Sequence, residues 1–212
     1  MPGLRVGVAA AVISMVTAAS ALACQGSTVL FEDGFDDLQP TWGTADEELG
    51  VKDHKLMMKP KENFTFWAPN TASIYDNVDF CADVTTVKAV DPEDSFGGLI
   101  FWYVDDQTFY AFEYDANGSA AVYRRQRGKW LKQVGWEKAP DLKAGDGATN
   151  SLRVVTVGND ASFFINGKPF KKIKGVAPED GQEIGFIASS PKNAVSTYAY
   201  SKIKVTEPDA KK

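Results

Sequence analysis

Cysteine and histidine are scarce in this chain. Its 212 residues include two cysteines, Cys24 and Cys81, and one histidine, His54. Zinc sites and thiol-based catalytic sites are usually built from several Cys and His residues, so this composition argues against both. Basic residues are also in the minority, because 23 Lys and Arg stand against 28 Asp and Glu and leave a net charge of −5. An acidic surface repels phosphate groups, so we expect neither nucleic acid nor an anionic membrane as a partner.

Long apolar runs are missing beyond the N-terminus. Residues 6–22 are almost all apolar or small, they follow Arg5, and they lead into Ala21-Leu22-Ala23. This order is typical of a cleaved signal peptide. The run is also too short and too rich in alanine for a spanning helix, which needs about 20 apolar residues. We therefore predict a signal peptide over residues 1–23 and a periplasmic or secreted mature chain without a membrane span.

The two cysteines fit such an export. Disulfides persist in the oxidising compartments outside the cytoplasm, so we predict that Cys24 pairs with Cys81. The bond would close a loop of roughly sixty residues and stabilise the fold by roughly 4 kcal/mol in the chain-entropy model. An alternative stays open, in which Cys24 is the first mature residue and carries a lipid.

Sustained helical periodicity is missing after residue 28. Short runs rich in β-branched and aromatic residues alternate instead with turn signals, of which the clearest is Asn166-Gly167. Asn-Gly accepts a positive φ at both central positions and predicts a type I′ hairpin. Residues 49–58 are predicted as a single strand. About a dozen such strands exceed one sheet, so we predict an all-β, antiparallel two-sheet sandwich over residues 24–207, followed by a disordered tail over residues 208–212.

Five sequence segments carry a resemblance to a known family. They are FEDGFDD, GGLIFWYVDDQTFYAFEYDANGSAAVYRRQRGKW, NSLRVVTVGNDASFFINGKPF, GQEIGFIASS and YSKIKV, in this order along the chain. Together they resemble the concanavalin A-like lectin and glucanase superfamily, and in particular bacterial exported domains similar to laminin-G-like and 3-keto-disaccharide hydrolase-type sandwiches. The resemblance implies a jelly-roll sandwich that often binds glycans on its concave sheet.

Catalysis of the glucanase type would require a specific strand motif. Retaining glucanases of this superfamily carry Glu-x-Asp-x-Glu, in which one carboxylate attacks and another donates a proton. The nearest string here is Glu113-Tyr114-Asp115-Ala116-Asn117. Its last position is an amide, which cannot donate a proton as a carboxylic acid does. The pattern argues against an enzyme, although a glycoside hydrolase with a carboxylate pair assembled across strands stays an alternative.

Alternation along the middle strands predicts a ligand platform. If Leu99 and Phe101 face the core, Trp102 faces outward, and the same period-two logic turns Glu113, Tyr123 and Arg125 outward on the following strands. Aromatic faces stack on sugar rings, while charged groups take the hydroxyls. The predicted ligand-binding residues, which include two more tryptophans of the next strand, are therefore Trp102, Glu113, Tyr123, Arg125, Trp130 and Trp136. The alternative is that these aromatics only cover a second apolar layer.

The acidic run from Glu32 to Asp37 supplies the only cofactor expectation. Its carboxylates, Asp33, Asp36 and Asp37 among them, could bind calcium through oxygen ligands. The alternative is a turn in which Asp side chains cap the backbone. No other cofactor is expected.

These observations favour a non-catalytic exported domain that binds carbohydrate, such as an envelope glycan. A glycoside hydrolase is the first alternative. The second is a structural or protein-interaction domain of the cell envelope, whose interface would be more apolar. The sequence does not name the ligand or the oligomeric state.

Overall fold

The computed structural model describes residues 24–209. The predicted signal peptide over residues 1–23 therefore lies outside the described residues, as do residues 210–212 of the predicted tail. Residues 208 and 209 have no regular secondary structure. No helix within residues 24–209 is long and apolar enough to cross a bilayer.

The described chain is built almost entirely from strands, which pair antiparallel throughout. A short 3₁₀ turn, Pro40–Trp42, is also present. The strands are β1 Val29–Asp33, β2 Leu49–Lys52, β3 Lys55–Met58, β4 Phe64–Tyr75, β5 Val78–Lys88, β6 Phe96–Asp105, β7 Thr108–Asp115, β8 Ser119–Gln126, β9 Lys129–Lys138, β10 Thr149–Val157, β11 Asp160–Ile165, β12 Lys168–Lys174, β13 Gln182–Ser190 and β14 Thr197–Thr206.

Two sheets form the predicted sandwich. An eight-stranded sheet has the order β12-β11-β10-β5-β14-β3-β2, with β1 also paired to β14. A six-stranded sheet has the order β4-β13-β6-β7-β8-β9. Neighbours that are distant in sequence, such as β13 between β4 and β6, are typical of a jelly roll rather than a simple meander. The predicted all-β jelly-roll sandwich is confirmed.

Two hairpin turns show where turn prediction succeeds and fails. Asn166 and Gly167 have φ values of 50° and 79° and join β11 to β12, which confirms the predicted hairpin. The prediction of one strand over residues 49–58 is wrong, because Asp53 and His54 turn the chain between β2 and β3. Their φ values are 52° and 55°. Asp and His tolerate this conformation without the glycine that usually signals it.

The core lies between the two sheets and is rich in aromatic rings. Trp42 stacks on Phe186 with ring centroids 5.0 Å apart, and Phe186 lies 4.2 Å from Tyr200. All three side chains are almost fully buried. Because successive strand residues point to opposite faces, the residues that alternate with this core lie on the outer faces of the sheets.

The predicted disulfide holds the N-terminal segment to the outer face of the eight-stranded sheet. Cys24 and Cys81 are bonded, with Cα atoms 5.5 Å apart. Beside them lies the fully buried Asp79. Its carboxylate accepts two hydrogen bonds from Arg153, of 2.6 and 2.8 Å, and one each from the backbone N–H groups of Gln25 and Gly26.

Candidate functional site

The structure corrects the predicted position of Trp102. Its side chain is 1% exposed and packs in the core against Tyr110, with ring centroids 4.9 Å apart. The register of β6 shifts between Phe101 and Asp105, and Trp102 has a φ of 48°. Such a bulge reverses the alternation, so Tyr103 takes the outer face and contacts Phe109. The prediction that Trp102 faces outward is wrong, and Trp102 is not among the residues that line the cavity on the outer face of the six-stranded sheet.

Alternation holds on β7 and places Glu113 on the outer face of the six-stranded sheet. Phe112 and Tyr114, its neighbours along the strand, lie in the core. Directly across from Glu113 are Gly98 on β6 and Ala121 on β8. Paired residues share one face, and these two carry little or no side chain. The outer face therefore has a depression at Glu113.

Aromatic side chains surround that depression. The cavity, of about 300 Å³, is lined by Thr65, Phe96, Glu113, Tyr123, Trp130 and Trp136. The Trp136 ring lies 5.9 Å from Phe96 and 6.5 Å from Tyr123 between centroids. Trp130 and Trp136 are 38% and 39% exposed, so both offer ring surface to a ligand. We call this the Glu113 cavity.

Four of the six predicted ligand-binding residues therefore line one cavity. Glu113, Tyr123, Trp130 and Trp136 meet there. Sequence reasoning missed Thr65 and Phe96. Phe96 has the same strand parity as Ile100, which also lies on the outer face, and this signal could have found it. Thr65 belongs to β4, which reaches the site only through the order of strands in the sheet.

Arg125 lies beside the cavity and holds its wall together. Its guanidinium carbon is 5.0 Å from the Trp67 ring centroid and 5.3 Å from that of Trp130. Its Nε donates a 2.8 Å hydrogen bond to the backbone carbonyl of Asp106. The Asp106 side chain in turn accepts hydrogen bonds from Trp67 and Tyr103, of 2.7 and 2.8 Å. Arg125 is thus stacked between two tryptophans, which positions Trp130.

The Glu113 carboxyl has an unusual electrostatic environment. It is 3% exposed, and it makes no hydrogen bond or ion pair with any residue between 24 and 209. Burial raises the pKa of Glu113 from its ordinary value of 4.5 to about 8. Burial also raises the pKa of Tyr123, with a smaller contribution from the nearby Glu113 charge. In the free protein Glu113 is therefore mostly protonated at neutral pH.

Asp115, the next acid of the motif-like string, has a different environment. Its Oδ1 accepts hydrogen bonds from the backbone N–H groups of Asn117 and Ser119, of 3.0 and 2.7 Å. These bonds cap the turn between β7 and β8. Among the described residues that line the cavity, Glu113 alone carries a carboxyl group.

Two acids of the run from Glu32 to Asp37 make hydrogen bonds within the protein. The two Asp33 oxygens accept bonds from the Phe35 backbone N–H and from the Trp42 indole, of 2.8 and 2.9 Å. Asp36 lies 2.8 Å from the Nδ1 of His54. Within the part of the chain that the structure describes, no group of three or more Cys, His, Asp or Glu is arranged to hold a metal ion. Calcium binding stays a prediction from the sequence.

Comparison with known proteins gives matches at the level of structure. No family model and no curated protein matches the chain. The carbohydrate-binding module CBM66 from Bacillus subtilis superposes with a TM-score of 0.63 at 10% identity, over 79% of this chain and 96% of the module. The β-glucanase of Bacillus licheniformis superposes with a TM-score of 0.62 at 8% identity, over 87% of this chain and 100% of the glucanase. A protein of unknown function with a galectin-like fold from Bacillus subtilis superposes with a TM-score of 0.61 at 13% identity, over 86% of this chain and 97% of that protein.

Identities this low carry information about the fold alone. All three structures are concanavalin A-like sandwiches, as the sequence resemblance implied. The chain has the sandwich fold of the concanavalin A-like lectins and glucanases.

Proposed function

We propose that this protein is an exported, non-catalytic carbohydrate-binding domain whose site is the Glu113 cavity. The observation that carries the proposal is the set of four aromatic rings around one buried carboxyl on the outer face of the six-stranded sheet. We assign this sheet as the concave, ligand-binding sheet of the family.

The chemistry of the cavity suits a sugar ring. The C–H groups on one face of a pyranose are apolar and stack on aromatic side chains, and Trp130 and Trp136 present such surfaces. The volume of about 300 Å³ lies at the small end of ligand pockets. This size fits one sugar unit, with the rest of a chain lying along the sheet. The fold neighbours, which include a carbohydrate-binding module and glucanases, support the same ligand class.

Binding is favoured over hydrolysis by the number of acids at the site. Glycoside hydrolysis normally uses two carboxyl groups about 5 to 9.5 Å apart. The described lining of the cavity supplies Glu113, and Asp115 is engaged in capping its turn. A hydrolase would therefore need a second acid that reaches the sugar from elsewhere.

The disulfide supports export. Bonds of this kind persist in oxidising compartments, and Cys24–Cys81 fastens the first described residue to the sheet. A periplasmic or secreted location follows from this proposal and from the predicted signal peptide. It also makes an envelope or extracellular glycan the accessible ligand.

A glycan array tests the proposal directly. The mature oxidised protein should bind a defined set of glycans, and Trp136→Ala should weaken that binding at least about tenfold through the lost stacking surface. The matched control is Ile74→Ala, because Ile74 is 68% exposed and does not line the cavity. Failure of the folded protein to bind any glycan would overturn the proposal. Release of shortened products from a bound glycan would favour the hydrolase instead.

A further inference from the structure

Three acids are buried in the described chain, and one of them lacks partners. Asp79 is paired with Arg153 and two backbone N–H groups. Asp115 accepts two backbone N–H bonds. Glu113 has neither kind of partner among residues 24–209, although it is 3% exposed and faces a cavity. A buried polar group that the protein leaves without a partner is available to a molecule that enters the cavity, so the position of Glu113 favours a ligand that supplies a hydrogen-bond donor or a positive charge.

The cavity walls favour a positive charge. The faces of Phe96, Tyr123, Trp130 and Trp136 carry the negative side of the aromatic quadrupole, which attracts cations. The described lining contains no Lys, Arg or His that could neutralise Glu113. The guanidinium of Arg125, which contacts the wall at Trp130, is stacked on Trp67 and Trp130 and donates a hydrogen bond to the Asp106 carbonyl.

The groups that face Glu113 from the neighbouring strands carry no opposing charge. Gly98 on β6 and Ala121 on β8 lie directly across from it. Tyr123 on β8 is the other titratable side chain of the described lining. Lys132 on β9 pairs with Tyr123 in register but makes no ion pair with Glu113.

We propose that the Glu113 cavity binds the ammonium group of an amino sugar, with the Glu113 carboxylate as counter-ion and the aromatic rings as a cage. This inference rests on the proposed carbohydrate function and names the sugar class. The sugar ring stacks on the exposed tryptophans, and the ammonium reaches the floor of the cavity. An ammonium enclosed by aromatic rings and one carboxylate satisfies both the π-faces and the unpartnered acid.

Charge balance gives the binding step a distinct signature. Below about pH 8 the free protein carries a proton on Glu113. The incoming ammonium favours the ionised carboxylate, so binding releases up to about one proton from Glu113 to the solvent. A neutral sugar would leave that proton in place.

Three tetrasaccharides that differ only at C2 test the inference. They are cellotetraose with a hydroxyl, chitotetraose with an N-acetyl group, and fully de-N-acetylated chitotetraose with an ammonium. Calorimetric titration at about pH 6, in two buffers of different ionisation enthalpy, gives both affinity and proton release. We expect the amine to bind at least about tenfold tighter than the other two, with proton release for the amine alone.

Variants separate this inference from the proposed function. Glu113→Gln should abolish both the preference for the amine and the proton release, while the control Glu183→Gln, a partly buried acid of the same sheet outside the cavity, should change neither. Near-UV circular dichroism verifies the fold of each variant. Equal binding of all three sugars would overturn the ammonium site and leave the carbohydrate function standing. No binding of any array glycan would overturn both. Binding of tetramethylammonium chloride as tightly as the amino sugar would overturn the assignment to a sugar.

Discussion

Asp79 and Glu113 lie on the outer faces of the two opposite sheets, and both are almost completely buried. Asp79 receives a bidentate bond from Arg153 and two backbone N–H bonds from the N-terminal segment. Glu113 receives none from the described residues and sits at the floor of an aromatic cavity.

The contrast separates a structural acid from one that we propose binds a ligand. Around Asp79 both carboxylate oxygens have donors within the protein, so the acid is committed to the stability of the fold. Glu113 is buried, but no described residue donates a hydrogen bond to its carboxyl group. This combination is typical of sites where a ligand completes the interactions. Two equally buried acids can therefore differ in role, and the difference lies in whether the protein supplies hydrogen-bond donors to the carboxylate.

The largest effect on stability is expected when the Asp79 carboxylate is removed. Asp79→Ala leaves Arg153, whose side chain is 12% exposed, buried without its partner and frees the Gln25 and Gly26 backbone. Breaking a buried pair in this way should lower the free energy of unfolding by about 3 to 5 kcal/mol. Urea denaturation measures it.

The control is Asp160→Ala, which removes a half-exposed, 3.7 Å ion pair with Lys172. Its expected cost is below about 1 kcal/mol. A similar small cost for Asp79→Ala would show that the buried pair contributes little to stability.

The next effect is a pH dependence of stability to which Glu113 should contribute most, with a smaller share from Glu183, whose pKa burial also raises. The Glu113 pKa of about 8 in the folded state exceeds the ordinary 4.5, so the folded protein binds the extra proton and its stability falls as pH rises between these values. From about pH 5.5 to about pH 8.5 the free energy of unfolding should drop by roughly 3 kcal/mol from this group. Urea titrations across this range measure the slope.

Glu113→Gln should remove most of that slope and be more stable than the parent above about pH 8, because the amide never ionises. Glu183→Gln should keep most of it. A Glu113→Gln variant with an unchanged slope would mean that the folded protein compensates the carboxylate after all.

The smallest effect is expected at Arg125, which can be compared with Arg153 because both arginines lie over aromatic rings. Arg153 lies over the Phe164 ring, 4.7 Å from its centroid, and also pairs with an acid, whereas Arg125 has two tryptophan rings and a carbonyl. Arg125→Ala should cost about 1 to 2 kcal/mol and weaken glycan binding by loosening Trp130.

Lys129→Ala, at an exposed position of the neighbouring edge strand β9, is the matched control and should stay within about 0.5 kcal/mol. Thermal unfolding and the glycan array report the two consequences. If Arg125→Ala left both unchanged, the stacked guanidinium would have no role in positioning the wall.

Much of the site could be predicted by counting along single strands. Period two placed Glu113 on β7 and Tyr123 on β8 correctly, because the ladder that pairs these two strands with each other has no register shift. The same count failed at Trp102, where a bulge and the positive φ of Trp102 itself turn the side chain inward. No residue in the sequence marks that bulge, since neither glycine nor proline occupies it.

The sequence by itself determined the all-β class, the Asn166-Gly167 hairpin, the Cys24–Cys81 pairing and the outward face of Glu113. Each of these follows from local conformational preference, strand period or the small number of possible partners. Tertiary structure alone decided that Thr65 completes the cavity, that Asp79 accepts hydrogen bonds from groups 53 to 74 residues away, and that Glu113 has no such partner among the described residues. The physical reason is that burial and hydrogen bonding depend on which strands become neighbours in a sheet, and this order is set by packing over the whole chain.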